Sequence, residues 1–171
     1  MKNLLAITVM LLATVISGCD SVDQERIPSM GVYIDLRDPG MWTKYGVSGY
    51  GNYRVFNRSK REPRDFAWTQ MTATGFGGVL LICGTNPYTL EAAVPLAYDM
   101  ACPVERKADI TVKIESNGMI PIAVCPKCGS TYDVCERGGS PISGIALGEK
   151  VGLTRFECTG SGSSWLITSK Y

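Results

Sequence analysis

Cys125-Pro-Lys-Cys-Gly-Ser-Thr-Tyr-Asp133 lies between two short stretches, Ile120-Pro-Ile-Ala-Val124 before it and Gly139-Ser-Pro-Ile-Ser-Gly144 after it. The first of these alternates in polarity, which is the mark of a half-buried strand, and Gly or Pro closes each run within a few residues. Gly31-Val-Tyr-Ile-Asp-Leu36 and Thr111-Val-Lys-Ile-Glu115 read the same way. Val79-Leu-Leu-Ile-Cys83 follows Gly75-Phe-Gly-Gly78 and is apolar throughout, so it predicts a strand buried on both faces. Residues 153–158 and 165–168 flank the turn-rich Thr159-Gly-Ser-Gly-Ser-Ser164 and predict a hairpin. No window of about 12 residues beyond the N-terminal segment carries helical periodicity. The 19 Gly and 9 Pro are scattered so as to interrupt any long helix. The expected fold class is therefore all-β and antiparallel. Residues 37–65 have the weakest pattern and read as a long surface excursion with room for one short helix. Core and interface packing is the expected use of Trp42, Tyr45, Tyr50, Tyr53 and Trp68. Arg37-Asp38 and Arg64-Asp65 read as surface charges.

The 171 residues suit one domain with a sizeable core, and 45% hydrophobic against 19% charged residues argues for a folded chain. Seventeen basic against 16 acidic residues leave no electrostatic footprint for nucleic acid. The absence of histidine excludes Ser-His-Asp and Cys-His catalysis and any His-ligated metal, so a metal would have to be held by sulfur and oxygen. Gly75-Phe-Gly-Gly78 has no helix to open and so makes no phosphate loop. No catalytic constellation emerges.

Lys2, an apolar run of 13 residues over 4–16, the small pair Ser17-Gly18 and then Cys19 follow the order of an export signal. The run falls short of the roughly 20 residues a spanning helix needs. Ile16-Ser-Gly-Cys19 resembles a bacterial lipobox, which implies a lipoprotein signal peptide over 1–18, acylation of Cys19, a polar tether over 19–26 and a folded domain over 27–171. Cleavage would remove only Lys2 among the charges, so the acyl chains rather than a polybasic patch would hold the protein to the membrane. The expected location is an extracytoplasmic membrane face in the cell envelope, and the expected partner is another envelope protein.

Six cysteines remain after Cys19: Cys83, Cys102, Cys125, Cys128, Cys135 and Cys158. Cys102-Pro-Val-Glu105, then Cys125-Pro-Lys-Cys-Gly-Ser-Thr-Tyr-Asp133, then Gly139-Ser-Pro-Ile-Ser-Gly144, resembles in layout the Rieske iron-sulfur domain. That family reads C-x-H, a spacer, C-x-x-H-G-S-x-Y/F-D and a Gly-Pro-Gly cover loop. The resemblance is nearer still to Rieske-like lipoproteins of the Bacteroidota, with their lipobox, Gly-Gly strand, Tyr-Asp ahead of the first Cys, and Cys in place of the second His. It implies an antiparallel β sandwich or barrel with a small cluster-binding subdomain, about 102–144, inserted into it. It also implies that Ser130 and Tyr132 hydrogen-bond the sulfurs and that Pro141, with Gly144, covers a cofactor.

The departure from the family pattern matters as much. Val104 and Cys128 stand where the two imidazoles would be, so a mixed Cys/His [2Fe-2S] centre is excluded. Three of the four positions survive as Cys102, Cys125 and Cys128. Four readings of these thiols remain open. They hold Zn²⁺ or an all-Cys [2Fe-2S] centre with a fourth ligand from Cys135 or Glu105; two of them form a disulfide in a cofactor-free interaction or scaffold lipoprotein; Cys125 and Cys128 form a redox pair, which normally needs a helix N-terminus that is not expected here; or all are reduced core residues. Cys83 and Cys158 read as inward thiols or a mutual disulfide. The leading expectation is a membrane-tethered electron-transfer or metal-binding module, with its three sulfurs within about 4 Å of one another.

Overall fold

The computed structural model describes residues 21–116 and 120–170. The export segment, Cys19 and Asp20 lie outside the described residues. In chain order the elements are β1 (Val32–Leu36), α1 (Pro39–Tyr45), β2 (Tyr53–Phe56), β3 (Ala73–Thr74), β4 (Val79–Gly84), β5 (Val94–Asp99), β6 (Lys113–Glu115), β7 (Ile122–Val124), β8 (Thr131–Asp133), β9 (Ser140–Ser143), α2 (Ile145–Glu149), β10 (Arg155–Ser161) and β11 (Ser164–Thr168). The all-β expectation holds. A seven-stranded antiparallel sheet runs β2-β4-β5-β10-β11-β1-β3, and a four-stranded one runs β6-β7-β8-β9. The larger sheet curls until its two edges nearly meet. Arg58, just past β2, donates through its backbone N–H to Thr74 Oγ1 (3.2 Å) and through its guanidinium to the carbonyls of Gln70 (3.3 Å) and Thr72.

β4 explains why an uninterrupted apolar run is needed. Its pleat sends alternate residues to opposite faces. Val79, Leu81 and Cys83 enter the core inside the curled sheet with Ile34, Leu36, Phe56, Ala97 and Ile167. Leu80 and Ile82 enter a second core with Leu96, Tyr98, Val112, Ala123, Tyr132 and Leu153, between the curled sheet and the small one. All six residues of β4 are buried. The half-buried strands β1, β6 and β7 lie where alternation places them, and the C-terminal hairpin is longer than expected, turning at Gly162 with φ +56°.

Two regions depart from expectation. Residues 37–65 are no mere surface excursion. They hold α1, whose N-cap Asp38 accepts from the Met41 N–H (2.9 Å) behind Pro39 in the first turn, and the edge strand β2. They also bury Tyr45, Val47 and Phe56. Phe66 meets Tyr45, Phe56 and Trp68 edge to face, with centroids at 5.1, 5.3 and 4.9 Å, so Tyr45 and Trp68 serve the core while Tyr50 and Tyr53 stay exposed. The polar segment expected as a tether is docked from Asp23 onward. Asp23 N–H donates to the Lys150 carbonyl (2.9 Å), Gly152 N–H to that of Asp23 (2.8 Å), and Gln24 Nε2 to that of Gly138 (2.6 Å). Ile27 is buried. Any free tether therefore ends before Asp23. No helix among the described residues is long and apolar enough to cross a membrane.

Candidate metal centre

Two tight turns build the site. The first leaves β5 at Asp99. The Cys102 N–H donates to the Ile110 carbonyl (3.0 Å), and the Arg106 N–H closes the turn on the Cys102 carbonyl (2.8 Å). The second joins β7 to β8. The Cys125 N–H donates to the Ser130 carbonyl (2.9 Å), and the Gly129 N–H closes on the Cys125 carbonyl (3.0 Å). Gly129 has φ +69°, a backbone conformation that glycine adopts at no steric cost.

The first turn is strapped by a group that sequence reasoning left without a role. Asp99 is 1% exposed, and its carboxylate accepts from the N–H groups of Phe76 (2.8 Å), Gly77 (2.9 Å) and Ala101 (2.8 Å). It ties the Gly75–Gly78 loop to the residue before Cys102. A Cβ at Gly77 would lie 2.4 Å from the Ala101 nitrogen, so only glycine allows that approach. Asp99 and Gly77 are thus two halves of one contact.

The turns bring Cys102, Cys125 and Cys128 together, with their sulfurs within 4.8 Å of one another. Cys102 Sγ and Cys128 Sγ are 3.6 Å apart. Cys102 and Cys125 are fully buried and Cys128 is partly exposed. Burial pushes the Cys102 thiol up to about 12, although the N–H groups of Glu105 and Val104 and the Tyr132 hydroxyl pull it the other way. Burial also acts upward on Cys128, but there the Ser130 hydroxyl and N–H, with the Cys125 and Cys102 thiols, outweigh it and the thiol moves down. Donors aimed at sulfur favour the thiolate, which is the form that binds metal.

Ser130 and Tyr132, both fully buried, lie at the sulfurs: Tyr132 Oη is 3.6 Å from Cys102 Sγ. Ser130 Oγ also accepts from the Ala146 N–H (3.1 Å). Gly144, at φ +80°, has no room for a side chain, because a Cβ would stand 2.8 Å from Ser130 Cα. The expected role of Pro141 needs correction. Pro141 is a buried strand residue paired with Tyr132, and it is Gly144 and Ala146, farther along, that make this segment's contact with the thiol turn.

Cys135 does not join the three. It is buried, its Sγ donates to the Pro121 carbonyl at 3.7 Å, and burial pushes its thiol up to about 12. Its sulfur faces the Pro121 carbonyl and lies outside the group of ligand atoms within 4.8 Å of one another, so it does not join the three in this arrangement. Glu105, the other candidate, has a side chain only 16% exposed; its carboxylate also lies outside that group and pairs with Lys127 of the second turn at 2.7 Å. Cys83 and Cys158 belong to the core inside the curled sheet, and all six described cysteines are free thiols. Strand β8, not a helix, follows Cys128, so Cys125 and Cys128 lack the helix N-terminus a thioredoxin-like pair uses.

Tetrahedral coordination at about 2.3 Å per Zn–S bond separates sulfurs by roughly 3.8 Å. The Cys102–Cys128 distance of 3.6 Å is already of that size. Three mutually close sulfurs, two of them buried and two receiving hydrogen bonds, fit one thiophilic ion. A two-iron cluster spreads its four ligands over two metals and fits this compact group less well. An open cleft along β2, lined by Arg54, Lys60, Arg61 and Arg64 together with Glu62, shares no residue with the thiol turns. In comparisons with protein-family models, curated proteins and solved structures, none matches this chain.

Proposed function

We propose that this chain is a membrane-tethered, extracytoplasmic module that binds a metal ion through Cys102, Cys125 and Cys128. The observation that carries the reading is the convergence of three sulfurs from two turns within 4.8 Å, with hydrogen-bond donors supplied by Val104, Glu105, Ser130 and Tyr132. The sulfur spacing favours a single Zn²⁺ ion. The tether rests on the Cys19 lipobox, and the envelope location follows from it.

A second reading keeps the electron-transfer role that the Rieske resemblance implies, in a Rieske-like fold with an all-thiolate [2Fe-2S] centre. The hydroxyls of Ser130 and Tyr132 at the Cys128 and Cys102 sulfurs favour it, because hydrogen bonds to cluster sulfurs tune a redox potential. The reading from a different class is a cofactor-free scaffold lipoprotein held by disulfides.

Metal and labile-sulfide analysis of protein purified without oxygen, with a free-thiol count, separates the three. About one zinc per chain supports the leading reading, and iron with sulfide supports the second. Neither metal, with the free thiols lost to disulfides, overturns both and leaves the scaffold.

A further inference from the structure

The two turns of the candidate centre share one backbone pattern from their Cys to the fifth residue, and that likeness bears on the fourth ligand. Cys102-Pro-Val-Glu-Arg106 and Cys125-Pro-Lys-Cys-Gly129 both open with Cys-Pro. Each closes by donating the fifth residue's N–H to the carbonyl of its Cys, at 2.8 and 3.0 Å. Each fifth residue is left-handed, Arg106 at φ +52° and Gly129 at φ +69°. An arginine held there costs about 1–3 kcal/mol in backbone strain, so the shape of the first turn is imposed although its residue is not glycine. Superimposing turn on turn by sequence places Cys102 on Cys125 and Glu105 on Cys128.

Cys128 brings its sulfur to the other two from the fourth position of its turn. Glu105 occupies the same position in the other turn. Its carboxylate is not out in solvent. The side chain is 16% exposed and bridges the gap between the turns to Lys127, which sits between Cys125 and Cys128. The carboxylate as it stands holds Lys127 and lies outside the group of ligand atoms within 4.8 Å of one another, but glutamate is two bonds longer than cysteine, so a change of side-chain rotamer from the matching Cα can turn its oxygen toward the sulfurs.

Resting on the metal-binding reading above, we infer that Glu105 is the fourth ligand of a Cys₃Glu site. Binding exchanges the Glu105–Lys127 ion pair for a Glu105–metal bond. Three Cys–SH groups lose their protons to solvent, three metal–sulfur bonds form beside the carboxylate bond, and the waters that these four ligands replace leave the ion. Lys127 stays beside the anionic site as its counter-charge. Three soft sulfurs and one carboxylate oxygen suit Zn²⁺ and, for spectroscopy, Co²⁺.

The test is Co²⁺ titration of the full chain, purified in detergent without oxygen, read by its thiolate-to-cobalt absorption. The wild type should bind one Co²⁺ with three thiolates' worth of charge-transfer intensity. Glu105→Cys should raise that intensity by about a third and move the d–d bands to those of an all-sulfur tetrahedron. Glu105→Gln should keep three-thiolate intensity and lose at least roughly 10-fold in Co²⁺ affinity, and Cys135→Ser should change neither. An unchanged spectrum for Glu105→Cys with unchanged affinity for Glu105→Gln, or one thiolate lost in Cys135→Ser, overturns the assignment of Glu105 while leaving the three-thiol site standing. No thiolate band in the wild type overturns the metal-binding reading and this assignment together. Should Glu105→Cys fail to fold, as near-ultraviolet circular dichroism would show, the affinity of Glu105→Gln decides.

Discussion

Replacing Asp99 with alanine removes the acceptor for three backbone N–H groups at once. Two of these donors, on Gly77 and Ala101, make buried bonds to Oδ1 at 2.9 and 2.8 Å, and the third, on Phe76, makes a partly buried bond to Oδ2 at 2.8 Å. A buried donor left without a partner costs about 1–3 kcal/mol. The two buried ones together cost roughly 2–6 kcal/mol, while the Phe76 N–H recovers a bond from water and adds little. Out of a total stability of about 5–15 kcal/mol that is a large fraction. Asp99→Asn should be milder. An amide oxygen in the Oδ1 place keeps the Gly77 and Ala101 bonds, and only its NH₂ faces the Phe76 N–H, donor against donor, for roughly 1–2 kcal/mol. The flipped amide is worse, because it sets the NH₂ against two donors. Urea unfolding followed by circular dichroism reads both variants, and a slope of about 1–3 kcal/mol per molar converts the alanine loss into a midpoint drop of about 2 M. Since Ala101 precedes Cys102, cobalt affinity should fall in the same order, alanine below asparagine below wild type. An alanine variant within about 0.5 kcal/mol of wild type, or an asparagine variant less stable than the alanine one, would refute the strap.

Tyr98 carries a buried hydroxyl with no hydrogen-bond partner among the described residues, so Tyr98→Phe should be neutral or stabilising by up to about 1 kcal/mol. A loss above 1 kcal/mol in the same urea assay would mean that the hydroxyl is satisfied. Metal affinity should rise with pH. Burial holds the Cys102 thiol at about 12, so the proton must be displaced for the sulfur to bind, and each proton displaced strengthens binding about 10-fold per pH unit below that thiol's pKa. A flat cobalt affinity between about pH 6 and pH 8 would exclude thiol ligands. Cys19→Ala should leave a longer precursor that takes up no labelled fatty acid. Normal processing and labelling of that variant would remove the lipobox and the tether with it.

Local pattern was enough wherever a residue's surroundings repeat along the chain. β1, β6 and β7 alternate because one face meets a core and the other does not, and β4 is apolar throughout because each of its faces meets a different core. β5 went unread because Pro95 breaks its pattern. The structure tolerates that proline since β10 pairs with β5 only at Ala97 and Tyr98, leaving the proline's second side without a ladder bond to lose. The aromatic cluster around Phe66 has no period at all, and only the curling of the larger sheet gathers it. At the candidate centre, spacing and resemblance pointed to Cys102, Cys125 and Cys128 with Cys135, and the structure brings the first three sulfurs together, each from a turn whose form is local. Spacing and resemblance could not say which of Cys135 and Glu105 stands beside the second turn. Cys135 follows Cys128 closely in sequence, but the extended strand β8 carries the chain away at about 3.3 Å per residue and delivers its sulfur to the Pro121 carbonyl. Glu105 is distant from Cys128 in sequence and stands beside the second turn only because Asp99 and the β5 end hold the first turn there. Distance across two turns is a property of how sheets pack, and no spacing along one chain encodes it.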